Sequence, residues 1–453
     1  MQLYEKYSNF LFFGIITTSI YVLIYNILHY SPILGYDAEA HHLYVDYISR
    51  YLPRSFRLPT DLDTREFFNP PLAYIFPAIS QILCRNIIDS TNYLQDCRPI
   101  YGTATQIFQS FIYLMTIWIN LITFRNFTKS RSLINTSYVL LISMLAVNYR
   151  TISMIRGEPY ILFFLSIFLY LISKTQDKNY EINLKNKVFL GITIGFIALS
   201  RQWGFLLFLP IIFLLFSKVV NNKSLYFKNW ALSAIVGFFI SGWFYINLYL
   251  KYGTFTAFNM SSKSFAFSNQ PFSFYIPSLE NISFLFSKPI RPHLDNQFIS
   301  ILYSDLWGDY WGYFSFTSRY LDVGRNQLEI GDFFGNVNKI SIITFSLIIF
   351  FCFMTNKTYK NSYFVKYLNL AIIVSLIGYF IFSILYPVPS GDQIKSTYII
   401  QVFHLLVFLS SIYFEKLKET NIRVYALLLS ILIGIYIYNF QTYLSHFPIN
   451  FLG

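Results

Sequence analysis

The chain alternates between long apolar runs and shorter segments that carry most of its charged residues. A run of about 20 apolar residues is long enough to cross the hydrocarbon layer of a membrane as a helix. We therefore expect an all-α polytopic membrane protein with about 11 transmembrane helices. The runs that predict these helices are residues 9–30, 101–124, 132–149, 157–173, 188–200, 202–217, 229–250, 338–355, 367–386, 396–414 and 424–442.

Two regions interrupt this pattern. Arg201 separates the short runs 188–200 and 202–217, and a charged residue at such a position needs an anion or water beside it. The run 70–88 is apolar but contains three prolines, which break helices. We expect this run to lie along the membrane surface rather than to cross the membrane.

Composition supports a membrane protein. Of the 453 residues, 55% are hydrophobic, 21% are aromatic and only 12% are charged. A single soluble core cannot bury so much apolar surface. We treat residues 1–453 as one multi-pass membrane domain.

The charges indicate an orientation. The predicted segments on the same side of the membrane as the N-terminus hold 17 basic and five acidic residues, so the whole formal net charge of +12 lies on that side. Because short cytoplasmic loops carry such an excess, we expect a cytoplasmic N-terminus, in a bacterial inner membrane by preference or in the endoplasmic reticulum of a eukaryote. The basic balance then reflects orientation and indicates no nucleic-acid partner.

Two predicted outer loops, residues 31–100 and 251–337, are too long to be simple connections. The first begins with the acidic cluster Gly35-Tyr36-Asp37-Ala38-Glu39-Ala40-His41-His42. The helical spacing from Asp37 to Arg50 predicts an amphipathic helix at the membrane surface. Cys84 and Cys97 also lie in this loop, where they either form a disulfide in an oxidising compartment or remain free and buried.

Several segments, in their order along the chain, resemble the glycosyltransferase-C superfamily. Within it, the similarity is to the branch of the protein O-mannosyltransferases and aminoarabinose transferases. The segments are an acid after the first span, Glu66-Phe67-Phe68-Asn69-Pro70-Pro71-Leu72-Ala73-Tyr74, Arg156-Gly157-Glu158, Gly191-Ile192-Thr193-Ile194-Gly195-Phe196-Ile197-Ala198-Leu199-Ser200-Arg201-Gln202, Trp243-Phe244-Tyr245 and Lys395-Ser396-Thr397-Tyr398.

The resemblance implies an inverting transferase that moves a sugar from a polyprenyl-phosphate carrier, undecaprenyl or dolichyl, to a lipid, glycan or protein acceptor on the outer or lumenal face. Loop 31–100 is then the catalytic loop. A first-loop Asp is the general base in this superfamily, and Asp37 holds that position. Glu39 is expected to assist or orient it. The alternative is that Asp37 only caps the following helix and that Glu39 is solvated.

A lipid phosphate needs cations near the membrane surface. We expect Arg201, Lys395 and Tyr398 to bind it, the alternative being that the two long side chains extend to the interface without a ligand. Four further residues are expected in the substrate cavity: Arg156, Glu158, Trp307 and Asp309. Trp307 and Trp311 are four residues apart, and we expect them on one helical face, either stacking on sugar or lying in an interfacial belt.

No cofactor is firmly implied. His41 and His42 could hold a divalent metal ion with the nearby carboxylates, but interfacial histidines are the simpler interpretation. In the aminoarabinose transferases an acidic and then a basic residue precede the Pro-Pro pair, whereas Phe68 and Asn69 stand here. The metal site and donor preference of that branch are therefore not supported.

Two other functions remain open from the sequence. A transporter or lipid flippase would use Arg201, Glu158 and Asp37 along a path through the membrane, but such proteins usually show internal repeats, which are not visible here. A ligase or polymerase of lipid-linked glycans would use similar cations.

Overall fold

The computed structural model describes residues 2–88, 91–127, 135–174, 182–220, 222–291, 293–315 and 323–445. Within these ranges every regular element is a helix. The first half contains α1 (Gln2–His29), α2 (Ala38–Tyr51), α3 (Leu72–Ile87), α4 (Tyr93–Phe124), α5 (Thr136–Ser143), α6 (Ala146–Ile152), α7 (Glu158–Ser173), α8 (Leu184–Ser200) and α9 (Leu209–Leu215).

The second half continues in the same way, with short 3-10 helices at Gln202–Leu207, Phe267–Asn269, Ser396–Ile399 and Phe440–Tyr443. Its α-helices are α10 (Lys223–Tyr252), α11 (Phe272–Tyr275), α12 (Leu279–Ser287), α13 (Phe298–Trp307), α14 (Val323–Thr358), α15 (Tyr363–Leu385), α16 (Ile400–Thr420) and α17 (Ile422–Tyr438).

Local sequence explains where many helices begin. Six of the described helices follow an Asn or Ser whose side chain accepts a hydrogen bond from a backbone N–H in the first turn, which satisfies a donor that the helix itself leaves free. These capping residues are Asn135, Asn183, Asn222, Ser278, Ser362 and Asn421.

Six described helical segments are long and apolar enough to cross a membrane: Ser8–His29, Leu94–Phe124, Lys223–Tyr252, Ile330–Thr358, Tyr363–Leu385 and Ser396–Thr420. They match six of the predicted spans, so a helical membrane protein is supported, whereas the count of about 11 is not confirmed. The remaining predicted spans coincide with shorter helices, and residues 132–134 of the predicted span 132–149 lie outside the described residues.

The predicted span 132–149 is broken. Helix α5 ends at Ser143 and α6 begins at Ala146, and the amide of Asn148 donates a 2.9 Å hydrogen bond to the carbonyl oxygen of Ile142. An asparagine side chain that bonds nearby backbone competes with a continuous helix.

The predicted surface region contains α2 and α3, which pack on each other and on the first turns of α4. A disulfide joins Cys84 of α3 to Cys97 of α4. Helix α2 closely matches the predicted amphipathic helix, and His41 and Tyr44 both contact the ring of Tyr74 in α3. The loop that precedes α2 is thereby held against the rest of the chain.

The prediction of one helical face for two tryptophans is wrong. Helix α13 ends at Trp307, and Trp311 lies in the turns beyond it. Both side chains are buried within the protein. The indole N–H of Trp311 donates to the carbonyl oxygen of Ile394, at 3.2 Å, and so contacts the segment that leads to Lys395.

Candidate active site

Asp37 lies in the tight connection between α1 and α2. Its backbone has φ 61°, an uncommon left-handed conformation that aspartate tolerates better than most residues. The carboxylate makes no capping hydrogen bond to α2. It accepts hydrogen bonds instead from Nη2 of Arg65 at 2.7 Å and Nζ of Lys395 at 3.1 Å. The Asp37 carboxylate therefore pairs with two cations and does not cap the helix.

Lys395 reaches Asp37 from an extended segment before α16. Its backbone N–H donates to the hydroxyl of Tyr379 at 2.7 Å, and the next residue, Ser396, donates its N–H to Oδ2 of Asp305 at 2.7 Å. The Lys395 side chain is almost fully buried, and its Nζ lies 4.4 Å from the centre of the Tyr36 ring. A buried ammonium group over an aromatic face gains attraction from the ring quadrupole.

Arg156 approaches the same tyrosine. Its guanidinium group lies 4.5 Å from the centre of the Tyr36 ring and donates to the carbonyl oxygen of Tyr36. Nε and Nη1 of Arg156 are buried and have no hydrogen-bond partner among the described residues. Arg156 and Lys395 thus both contact Tyr36, the residue that precedes Asp37.

Arg201 stands at the break between α8 and the 3-10 helix that follows, as the sequence predicted. Its Nε donates to Oε1 of Glu158 at 2.9 Å, and its Nη1 donates to Oδ1 of Asn69. Gly157 permits this close approach, since a Cβ there would lie 2.7 Å from Cγ of Arg201 and would overlap the carbonyl oxygen of Ser200. The motifs around residues 69, 157 and 201 therefore meet in space.

Tyr398 connects the two cations. The guanidinium carbon of Arg201 lies 5.7 Å from the centre of its ring, and Nζ of Lys395 lies 5.3 Å from that centre. Arg201 thus meets Lys395 and Tyr398, which come from a distant segment, and all three residues predicted to bind one phosphate lie close together.

A cavity of about 280 Å³ opens beside Tyr398 and Arg201. Its polar lining includes Glu66, Asn69 and Gln202, and the remainder is almost entirely apolar or aromatic. The apolar and aromatic lining residues include Phe68, Trp203, Phe205, Leu206, Phe258, Ile381, Phe382, Leu385 and Tyr386. A cavity with a cationic, hydrogen-bonding part and an apolar wall suits an amphipathic ligand.

Glu66 is a site residue that the sequence analysis did not single out. It lies in the loop before the Pro-Pro pair, it lines the cavity, and its Oε2 accepts from the amide of Asn69. Oε2 also lies 4.0 Å from Nε2 of His41, whose Nδ1 is 2.7 Å from the hydroxyl of Tyr74. The only sequence signal for Glu66 was its place at the start of the motif that ends in the Pro-Pro pair.

The surroundings of Asp37 and Glu66 shift the pKa values of these two carboxyl groups in opposite directions. Burial alone would raise the pKa of Asp37, but the positive charges of Lys395 and Arg156 outweigh burial and hold this pKa well below the usual range. Burial raises the pKa of Glu66, and the negative charge of Asp37 raises it further. Asp37 is therefore the more firmly ionised of the two carboxylates.

Other predicted site residues have different partners. The side chain of Glu39 is 68% exposed and pairs with Arg98, at 3.0 Å. The carboxylate of Asp309 lies 3.6 Å from Nη1 of Arg150 and accepts from the backbone N–H groups of Phe314 and Ser315. Trp307 is buried in the main hydrophobic core. None of these three lines the cavity beside Arg201.

Arg150 was also missed by the sequence analysis. It is buried, and its Nη2 donates to the Asp305 carboxylate at 2.7 Å, while that carboxylate also holds the backbone of Ser396. The pair fixes the segment that carries Lys395.

The two histidines of the acidic cluster contact tyrosines. His41 meets Tyr74, and Nδ1 of His42 lies 2.7 Å from the hydroxyl of Tyr101. Within the described ranges, no group of three or more His, Cys, Asp or Glu side chains is arranged to hold a metal ion.

Comparisons with known proteins show that this chain is similar to solved structures in its fold alone. No protein-family model matches the sequence, and no curated protein is similar to it in sequence. Among solved structures, the oligosaccharyltransferase of Archaeoglobus fulgidus in the apo form superposes with a TM-score of 0.51 and 15% identity, over 99% of this chain and 57% of that chain. The same protein in complex with Zn and sulfate gives a TM-score of 0.50 and 14% identity, over 96% of this chain and 53% of that chain.

This chain therefore spans little more than half the length of the solved oligosaccharyltransferase chains. At such low identity the likeness shows a shared helical fold and nothing more. The specific branch suggested by the sequence motifs is not confirmed.

Proposed function

We propose that this protein is a glycosyltransferase that moves a sugar from a polyprenyl-phosphate carrier to an acceptor, with inversion at the anomeric carbon. The observation that carries the proposal is the meeting of Arg201 and Lys395 at the ring of Tyr398, beside a cavity with an apolar wall. Two buried cations suit a phosphate, and the apolar wall suits the first isoprene units of the carrier.

The cations have a chemical task in such a reaction. When the bond between the anomeric carbon and the phosphate oxygen breaks, negative charge develops on the departing lipid phosphate. Fixed cations in a site shielded from water stabilise that charge more strongly than exposed ones would. Arg156, whose Nε and Nη1 have no hydrogen-bond partner within the described part of the chain, is a third candidate for this contact.

Asp37 is proposed as an essential carboxylate of this site. Its carboxylate holds Lys395 beside Tyr36 and Tyr398. Its role as the general base that takes the acceptor's proton stays a prediction.

We further propose that the site faces away from the cytoplasm, with the N-terminus on the cytoplasmic side. The Cys84–Cys97 disulfide lies in the hairpin that packs on α2 and so supports this side, because disulfides persist in oxidising compartments. The sugar could be supplied on undecaprenyl or on dolichyl phosphate, since both present the same headgroup and apolar chain.

The proposal is tested by incubating the purified protein with a panel of polyprenyl-phosphate sugars and a mixture of lipid, glycan and peptide acceptors. Release of free polyprenyl phosphate with formation of a glycosylated acceptor is the expected result. Movement of an intact carrier across proteoliposomes without bond cleavage would identify a flippase instead.

A further inference from the structure

Two carboxylates, the partly buried Asp37 and the buried Glu66, occupy different electrostatic environments in one site. Asp37 is paired directly with Arg65 and Lys395. Among the described residues, Glu66 forms no ion pair with a Lys or Arg. Its Oε2 lies 4.0 Å from Nε2 of His41, and its side chain is 6% exposed. Where paired carboxylates are held in such unlike surroundings, the better ion-paired one stays charged and the other exchanges protons.

The position of Glu66 meets the geometric requirement for contact with substrate. It lines the cavity together with Arg201 and Tyr398, the residues proposed to hold the donor phosphate. Asn69 donates to Oε2 of Glu66 and accepts from Arg201 through its own Oδ1. The Asn69 amide therefore fixes the Glu66 carboxylate relative to the cation.

A buried histidine lies beside Glu66. Nε2 of His41 faces Oε2 of Glu66 and has no hydrogen-bond partner among the described residues. Burial lowers the pKa of His41 well below the usual range, so the ring is neutral and one nitrogen carries a proton. The hydroxyl of Tyr74 contacts the other ring nitrogen and orients it.

The groups that face Glu66 come from several elements. His41 of α2 lies at one side, and Tyr74 of α3 lies behind His41. The remaining charged or titratable groups that act on Glu66 are Asp37, Arg156, Arg201, Lys395 and Tyr398. Burial and Asp37 together outweigh these cations and raise the pKa of Glu66.

We propose that Glu66, supported by His41 and Tyr74, is the group that receives the acceptor's proton, while Asp37 remains an ionised anchor for Lys395. The inference rests on the proposed sugar transfer. The acceptor's oxygen or nitrogen forms the new bond to the anomeric carbon, and the electron pair of the broken carbon–oxygen bond stays on the lipid phosphate. The proton of the acceptor passes to the carboxylate of Glu66, which later returns it to solvent. Glu66 is a catalytic residue in this scheme, and His41 is a positioning residue.

The test compares Glu66→Gln with Asp37→Asn in the full-length protein, using the donor that the wild type turns over. The glutamine keeps the size of the side chain and its oxygen for Asn69 but cannot take a proton. We expect Glu66→Gln to reduce kcat about a hundredfold to ten-thousandfold, the usual effect of removing a general base, with donor binding retained. The matched control is Glu280→Gln, the same substitution at an exposed residue of α12, and it should leave kcat unchanged.

The pH profile separates catalysis from mere support of the fold. A base must be unprotonated, so wild-type kcat/KM should rise with pH through a midpoint above the usual range of a glutamate. This rise is the acidic limb of the pH profile. Asp37→Asn should keep the acidic limb at a lower overall rate, and Glu66→Gln should lose it. His41→Gln should shift the midpoint of the limb. If Glu66→Gln does not fold, Glu66→Asp provides the comparison, with a displaced limb expected.

Two results would overturn the assignment of the general base to Glu66. One is near wild-type kcat in a folded Glu66→Gln or Glu66→Asp protein, and the other is an unchanged acidic limb in either variant. Loss of the limb in Asp37→Asn alone would return the base to Asp37. Failure of the wild type to consume any lipid-phosphate sugar is a different result, because it would reject the proposed function itself.

Discussion

Nζ of Lys395 lies 3.1 Å from Oδ2 of Asp37, although 358 positions separate the two residues along the chain. The contact joins the loop after the first helix to the segment before α16. Lys395 is buried and Asp37 is partly buried, so the charge of Lys395 depends on Asp37 for compensation. The pair links the proposed essential carboxylate directly to a cation proposed to bind phosphate.

Replacing Lys395 should weaken binding of the lipid carrier. A hydrogen bond to a charged group contributes about 1.5–3 kcal/mol, so Lys395→Ala should lower the affinity for polyprenyl phosphate by roughly 10- to 150-fold. Titration of the purified protein with a fluorescent polyprenyl phosphate measures this. Lys263→Ala, at an exposed lysine, is the control and should bind like the wild type. Equal affinities for all three proteins would place the phosphate elsewhere.

A single added methyl group at Gly157 should displace Arg201. The new Cβ would meet Cγ of Arg201 and the backbone of Ser200. Misplacing a binding group by about 1 Å can reduce the rate ~100-fold, and we expect Gly157→Ala to lower kcat/KM by about that factor.

The matched control for Gly157→Ala is Gly434→Ala, because a Cβ at Gly434 meets no atom within 4 Å. It should leave kcat/KM and the melting temperature nearly unchanged. A Gly157→Ala protein with full activity would show that the position of Arg201 is unimportant or that the chain readily yields at this point.

Some of this site follows directly from the sequence and some does not. The break at Arg201, helix α2 and the position of Asp37 just before that helix are local features, since a charge between apolar runs and a turn before an amphipathic pattern are visible in one segment. The position of the Glu39 side chain could not be predicted from its local sequence. Its neighbours in sequence suggest a shared role with Asp37, yet the following helix turns it toward Arg98.

Contacts between residues far apart in sequence account for the other differences between the predicted and the observed site. Asp309 was predicted to line the substrate cavity, but its carboxylate lies 3.6 Å from Arg150 of α6, a short helix that begins after the interruption at Ser143. Glu66 has no special local pattern, and its importance comes from His41, Asn69 and Arg201 meeting around it.

The disulfide should stabilise the hairpin beside the site. A loop closed by a bond across 13 positions constrains the unfolded chain, and a loop of about 15 residues is worth about 3 kcal/mol. The double variant Cys84→Ser and Cys97→Ser should therefore melt at a lower temperature than the wild type. Reductant should lower the melting temperature of the wild type only.

Thiol counting provides an independent check of the same bond. In denaturant without reductant, a maleimide reagent should modify only Cys352, the free cysteine. Modification of all three cysteines would show that Cys84 and Cys97 are not joined.

The stability given by Asp37 should be insensitive to pH over a wide range. Its folded-state pKa is held well below the usual value of about 3.9, so its stabilising effect is fully present above that unfolded value and is lost as the pH falls toward the folded pKa. Asp37→Asn should lower the melting temperature by a constant amount from pH 8 to about pH 5, with the difference shrinking only in stronger acid. A difference that disappears between pH 7 and pH 5 would contradict the paired, ionised state.

Transfer of a labelled sugar from polyprenyl phosphate by the purified protein tests the central claim most directly, with wild type, Arg201→Lys and Lys395→Ala compared at equal folded fraction. The account predicts that the wild type consumes at least one donor and releases polyprenyl phosphate, and that both variants do so far more slowly. Consumption of no donor by the wild type, or equal rates in all three proteins, would contradict it.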